Sequence, residues 1–139
     1  MPALLRGARG SYGNTIVAML GAAGFEDLPR NGPFVLGGMA NHGGSAVEMI
    51  RGLGVSRQAA SQLIDTLVLR GYLDRQINSD DRRRMDIELT ERGRAAAAVV
   101  RSAVKKVDRQ LMARLSPGEL AGLRVGLAAL TTIEEETRE

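Results

Sequence analysis

Residues 54–93 read GVSRQAASQLIDTLVLRGYLDRQINSDDRRRMDIELTERG, and the order of signals within them decides the fold. Val55-Ser56 opens a helix, because the serine oxygen can accept one of the backbone N–H groups that a helix start leaves unpaired; the helix runs to Arg70 and stops at Gly71. At about 100° per residue, Arg57, Gln58, Ser61, Gln62 and Asp65 fall within roughly 140° of arc. Ala60, Leu63, Ile64 and Leu67 occupy the opposite side, so one face is to be buried and a polar one is free. After Gly71 the period turns from helical to alternating. Tyr72, Leu73 and Ile77 mark one strand, and Met85, Ile87 and Leu89 alternate with Asp86 and Glu88 in another. Asn78-Ser79-Asp80-Asp81 between them is turn chemistry, which makes a hairpin whose tip carries Arg82 and Arg83, with Arg84 beside them.

Upstream, Leu5, Tyr12, Ile16 and Leu20 approximate one face of a helix over residues 3–23, with Gly24 as its stop. A turn at residues 27–29 leads to a short helix over 33–40, in a segment whose glycines weaken helix propensity. Ser45-Ala46-Val47-Glu48 is a capping box opening a third helix that ends at Gly52 or Gly54. Downstream, Thr90 caps a helix that can run to Leu115, a length of about 39 Å at 1.5 Å per residue. Ser116-Pro117-Gly118-Glu119 is a second capping box, and Leu120, Leu123, Leu127 and Leu130 mark the inner face of the last helix. The alanines at 95–98 suit close packing of that long helix as well as helix propensity.

Composition narrows the chemistry. The chain has 139 residues, 44% hydrophobic and 25% charged, the profile of an ordinary globular domain. It lacks cysteine, so neither disulfides nor thiolate nucleophiles nor cysteine zinc sites can form, and His42 is its only histidine. Neither the P-loop pattern GxxxxGKS/T nor GxGxxG occurs, and no catalytic, metal or cofactor site is expected; the chain is read as no enzyme. The absence of a long apolar run and of a secretory leader points to a cytoplasmic protein without membrane attachment. Net charge is only +3, but 17 of the 19 cations are arginine, whose planar fork suits phosphates and base edges.

Helix, short helix, capped helix with a polar free face and arginine-tipped hairpin form a winged helix-turn-helix arrangement. The expected class is mostly α with a small β-hairpin wing (α+β). In such units the second helix enters the major groove and presents its N-terminal residues to base edges. Arg57 can donate bidentately to guanine, and Gln58 and Gln62 carry the donor and acceptor pair that adenine requires. A solvated helix face is the plain alternative for these residues; the arginine-tipped hairpin directly after them favours DNA.

Residues 54–93 resemble the DNA-binding core of the MarR family of bacterial winged-helix transcription regulators. The family's wing pattern, Asp-x-Arg, an apolar strand and Leu-Thr-x-x-Gly, is matched by Asp81, Arg83, Ile87, Leu89, Thr90 and Gly93. The resemblance covers 40 of 139 residues. It implies one domain over 1–139, with a winged-helix core at about 28–93 and dimerisation helices at about 3–23 and 94–137. It also implies a homodimer that represses transcription from inverted-repeat double-stranded DNA. By the same resemblance Ser56, Arg57, Gln58, Ser61 and Gln62 contact DNA in the major groove. Arg82, Arg83 and Arg84 do so at the wing, with Arg83 toward the minor groove. A small aromatic or lipophilic effector is expected between the dimerisation helices and the core, near Tyr12, Ile16, Phe34 and Met39, with Arg30 and His42 as anion partners. The departures are the glycine pairs 37–38 and 43–44 and the lack of cysteine, which excludes thiol redox sensing. The competing class is a winged-helix protein-interaction module without sequence-specific DNA binding, for which clustered guanidinium groups on the wing serve no purpose.

Three amphipathic helices from the two ends carry more apolar surface than a core of about 65 residues can cover, so a homodimer is expected. Sedimentation should show a dimer at micromolar concentration, and a stable folded monomer there would contradict it.

Overall fold

The computed structural model describes residues 1–83 and 85–138, the side chains of 134–138 excepted. It contains α1 (Pro2–Ala22), α2 (Gly32–His42), α3 (Ala46–Arg51), α4 (Arg57–Leu69), β1 (Leu73–Ile77), β2 (Met85–Leu89), α5 (Glu91–Met112) and α6 (Pro117–Arg138). The contacts divide the chain into two compact units, residues 1–104 and 105–139. Mostly helical with one antiparallel hairpin, the chain has the expected fold class.

In the first unit, Leu20 of α1, Val35, Leu36 and Met39 of α2, Ala46 and Ile50 of α3, Leu67 of α4, and Tyr72 and Leu73 at the root of the hairpin form one buried cluster. Ala96, Ala97 and Val100 of α5 complete it. The first half of α5 thus packs with the winged-helix core, and alanine lets it approach closely. Capping follows the sequence. Ser45 and Glu48 make both bonds of the capping box at α3, and the Ser56 hydroxyl accepts from the Ala59 amide at 3.1 Å to start α4.

Two helix limits differ from expectation. Helix α2 runs through its glycines, over Gly32–His42 instead of 33–40. Its tertiary contacts outweigh propensity, because Gly38 leaves the space into which the Met49 side chain of α3 fits. Helix α5 ends at Met112, three residues before Leu115, in a turn where the Arg114 amide donates to the Leu111 carbonyl at 2.9 Å.

The hairpin pairs Leu73 with Leu89, Arg75 with Ile87 and Ile77 with Met85. Its root is tied shut by Thr90, whose amide donates to the Tyr72 carbonyl (3.1 Å) and whose hydroxyl donates to the Gly71 carbonyl (2.6 Å) while accepting from the Gly93 amide (3.0 Å). Gly71 makes the preceding turn in the left-handed region, at φ 77°.

In the second unit the Ser116 amide donates to Glu119 Oε2 at 2.9 Å, the capping box that opens α6. This bond, made first with the backbone and then with the Ser116 hydroxyl, holds the Glu119 carboxyl below its usual range. On the expected inner face of α6, Leu120 is half-buried and Leu123, Leu127 and Leu130 are exposed.

Gly93 is where the fold tolerates substitution least, since a Cβ there would overlap the Tyr72 carbonyl oxygen and crowd Leu89 at 3.2 Å. Its neighbour is backbone and cannot rotate away. Gly93→Ala should destabilise the protein by about 1–3 kcal/mol, read as a lowered urea midpoint at unchanged slope. A wild-type midpoint would show that the root of the hairpin is looser than this.

Candidate nucleic-acid interface

The α4 helix is amphipathic as its sequence requires. Leu67 is buried, Ala60, Leu63 and Ile64 are half-buried, and Arg57, Gln58, Ser61, Gln62 and Asp65 are exposed. Four of the expected contact residues therefore lie on one open face within the first two turns. Ser56 lies at the cap itself. Its oxygen is engaged by the Ala59 amide, which leaves the hydroxyl proton available to donate outward.

Asp65, which the sequence places on the free face, has a partner. The Arg75 guanidinium of β1 makes an ion pair with it, tying the wing to α4. Arg75 shares its strand face with Leu73 and Ile77. A charged residue between two apolar ones on that face signals a specific partner, which the alternation pattern alone could have revealed.

The wing turn is shaped by a side chain. Asn78 Oδ1 accepts from the amides of Asp80 (2.8 Å) and Asp81 (2.9 Å), and its Nδ2 donates to Asp86 at 2.6 Å. Asp81 in turn accepts from the Arg83 amide at 3.0 Å, the role in the turn that its sequence context suggests. Arg82 and Arg83 are exposed there. Arg84 lies outside the described residues.

A second polar cluster went unread in the sequence. Asp27, in the segment joining α1 to α2, accepts from the Tyr72 hydroxyl and, at 2.9 Å, from Arg92 of α5. The Asp27 carbonyl accepts from Arg70, the residue that ends α4. Arg92 also donates to the Tyr72 oxygen at 3.0 Å and lies 4.6 Å from the centre of the Tyr72 ring and 5.9 Å from that of Phe25. The bond from Tyr72, followed by the charge of Arg92, holds the Asp27 carboxyl below its usual range against some desolvation. Burial, and then the bond to Asp27, pushes the Tyr72 phenol up.

Of the expected effector residues, Tyr12 and Ile16 are half-buried on α1, Met39 is in the core, Phe34 is 53% exposed, and Arg30 and His42 are exposed. An open apolar groove of about 410 Å³ lies between the end of α1 and α5, lined by Met19, Ala22, Ala23, Ala98, Val99 and Ser102. None of the six expected residues lines it. No helix among the described residues is long and apolar enough to cross a membrane.

The sequence pattern of the MarR family matches residues 27–84, from the α1–α2 segment to the wing. The transcriptional repressor MprA of Escherichia coli (strain K12) is 33% identical over 75 residues, which are 54% of this chain and 43% of MprA. The chain thus spans less than half the length of that relative. Among solved structures, S. aureus MepR in complex with DNA matches with a TM-score of 0.74 at 18% identity, over 95% of this chain and 96% of MepR. MepR bound to ethidium bromide matches at 0.63 and 19%, over 95% of this chain and 94% of MepR. RV1404 from Mycobacterium tuberculosis matches at 0.69 and 25%, over 94% of this chain and 89% of its own. The MepR likenesses carry the fold, and the sequence pattern and MprA carry the relationship. The capped α4 helix and the Asn78-shaped wing lie where that pattern falls, so the likeness to the MarR family of winged-helix regulators is carried by residues 27–84, 58 of the 139.

Proposed function

We propose that the protein is a homodimeric, sequence-specific DNA-binding repressor released by a small molecule. The observation that carries this reading is the open face of α4, with Arg57, Gln58, Ser61 and Gln62 all exposed in the first two turns of a capped helix. A helix start of this kind offers backbone N–H groups and the Ser56 hydroxyl to a phosphate, while the glutamines read adenine and the arginine reads guanine or binds phosphate. The wing supplies Arg82, Arg83 and Arg84 to the backbone and, through Arg83, to the minor groove. MprA is a transcriptional repressor, and MepR has been solved with DNA; both support the reading.

Dimerisation is supported by uncovered apolar side chains on both terminal helices: Leu4, Leu5 and Val17 of α1, and Leu123, Val125, Leu127, Leu130 and Ile133 of α6. Effector release is supported by the groove between α1 and α5, whose lining of methionine, alanine and valine with one serine suits an apolar aromatic molecule. MepR has been solved with the aromatic cation ethidium. Tyr12, Ile16, Arg30, Phe34, Met39 and His42 stand as the alternative lining, and their substitution against that of Val99 and Ser102 separates the two placements.

Selection of duplexes from random DNA should yield an inverted repeat with half-site centres about 10 to 10.5 bp apart. Affinity for it should fall steeply between about 50 and 200 mM salt. Salt-insensitive binding, or no selected duplex, would leave a protein-interaction module as the better description. Gln58→Ala should cost about 1–3 kcal/mol on the selected site and blur one base position. Arg83→Ala should weaken binding chiefly where the minor groove is narrow and A/T-rich. If both variants bind like wild type, these residues are not the contacts.

A further inference from the structure

Four segments of the chain meet at the Asp27 side and main chain. The segment leaving α1 supplies Asp27 and Phe25; the end of α4 supplies Arg70; the root of the wing supplies Tyr72; and the start of α5 supplies Arg92. The stability this cluster adds is small, because the side chains of Asp27 and Arg92 are each 45% exposed and exposed ion pairs contribute little. Its directional content is large. One carboxylate accepts from a buried phenol and from a guanidinium that itself stacks on that phenol's ring, and the adjoining carbonyl accepts from the residue that ends α4. Apolar contacts, such as Phe25 against Tyr72 at 6.1 Å between ring centres, tolerate sliding. Hydrogen bonds to a fixed carboxylate do not. The partners come from 43, 45 and 65 residues away in sequence, so the cluster does no local capping.

We infer that Asp27 is a positioning residue for DNA recognition: it fixes α4 and the wing root against α1, and so sets the half-site spacing that a pair of chains accepts. This rests on the DNA-binding, dimeric reading above. Helix α1 carries part of the uncovered apolar surface through which two chains would join, and α4 carries the base-reading face. The direction of α4 relative to α1 within one chain is therefore part of the distance between the two recognition helices of a dimer.

The test uses the full chain and a series of duplexes in which the two selected half-sites are moved apart or together in single base-pair steps. Wild type should prefer one spacing sharply. Asp27→Ala should lose about tenfold on that spacing, within the range of inter-site couplings, and little on its neighbours, so that the profile flattens while the melting temperature scarcely moves. Asp27→Asn, which keeps an acceptor oxygen toward Tyr72 and Arg92, should recover most of the preference. Should Asp27→Ala fail to fold, the asparagine variant is compared with Arg92→Ala, which must flatten the profile in the same way. An unchanged profile in the folded variants overturns the role. So does a uniform loss at every spacing accompanied by a lowered melting temperature, which describes a merely structural residue. If wild type binds no duplex of the series, the DNA-binding reading itself fails, and that outcome is distinct from both.

Discussion

The rest of the winged-helix unit depends on the closure of the hairpin at its root. From Gly71 to Gly93 the chain leaves the core, forms two strands and a turn, and returns; Thr90 joins the two ends by bonding to the carbonyls of Gly71 and Tyr72 and to the amide of Gly93. Bringing the ends together consumes chain entropy, and the contacts at the root must offset it. They do so at a place where Tyr72 and Leu73 are already buried, so a few hydrogen bonds beside an apolar anchor fix the whole excursion. Once the root is closed, the first half of α5 falls against the core and its alanines can pack. An open root would leave α4 without its neighbour on the Asp65 side.

The division of labour between apolar and polar contacts is consistent through this unit. Leucine, valine and alanine decide that the helices pack. Three side-chain groups decide how: Arg75 with Asp65 between wing and α4, Asn78 within the wing turn, and Asp27 with Tyr72 and Arg92 at the root. Each sits at the edge of the core, partly wetted, where it adds direction more than stability. Under the proposed role, an interface that must meet DNA in a particular register gains more from such ties than from a larger core.

Local signals were legible in the sequence because their physics is local. Serine at 45 and 56, threonine at 90 and the asparagine turn each act within three or four residues, and they delimit α3, α4, the hairpin and the start of α5 as read. The exposed face of α4 followed from helical spacing alone. The glycines of α2 misled because propensity says nothing of what lies opposite: Gly38 faces Met49, and the lost propensity returns as packing between α2 and α3. The tie between Asp27 and Arg92 spans 65 residues, and nothing in either one's neighbourhood announces the other. Met39 lies in the core, as scattered methionines usually do.

The Asn78 turn has a consequence for how this protein can change over generations. Its shape is held by one amide side chain, by the Asp80 and Asp81 amides and by the Asp81 carboxylate, while the guanidinium groups of Arg82 and Arg83 stand at the exposed tip. The residues that shape the turn and those proposed to meet DNA are thereby different, though only one to five positions apart. Mutations at the tip can retune affinity without refolding the loop, and mutations at Asn78 cannot, because they alter the path of every residue beyond it. Descendant sequences are free to explore new binding preferences at 82 and 83 only while position 78 stays fixed.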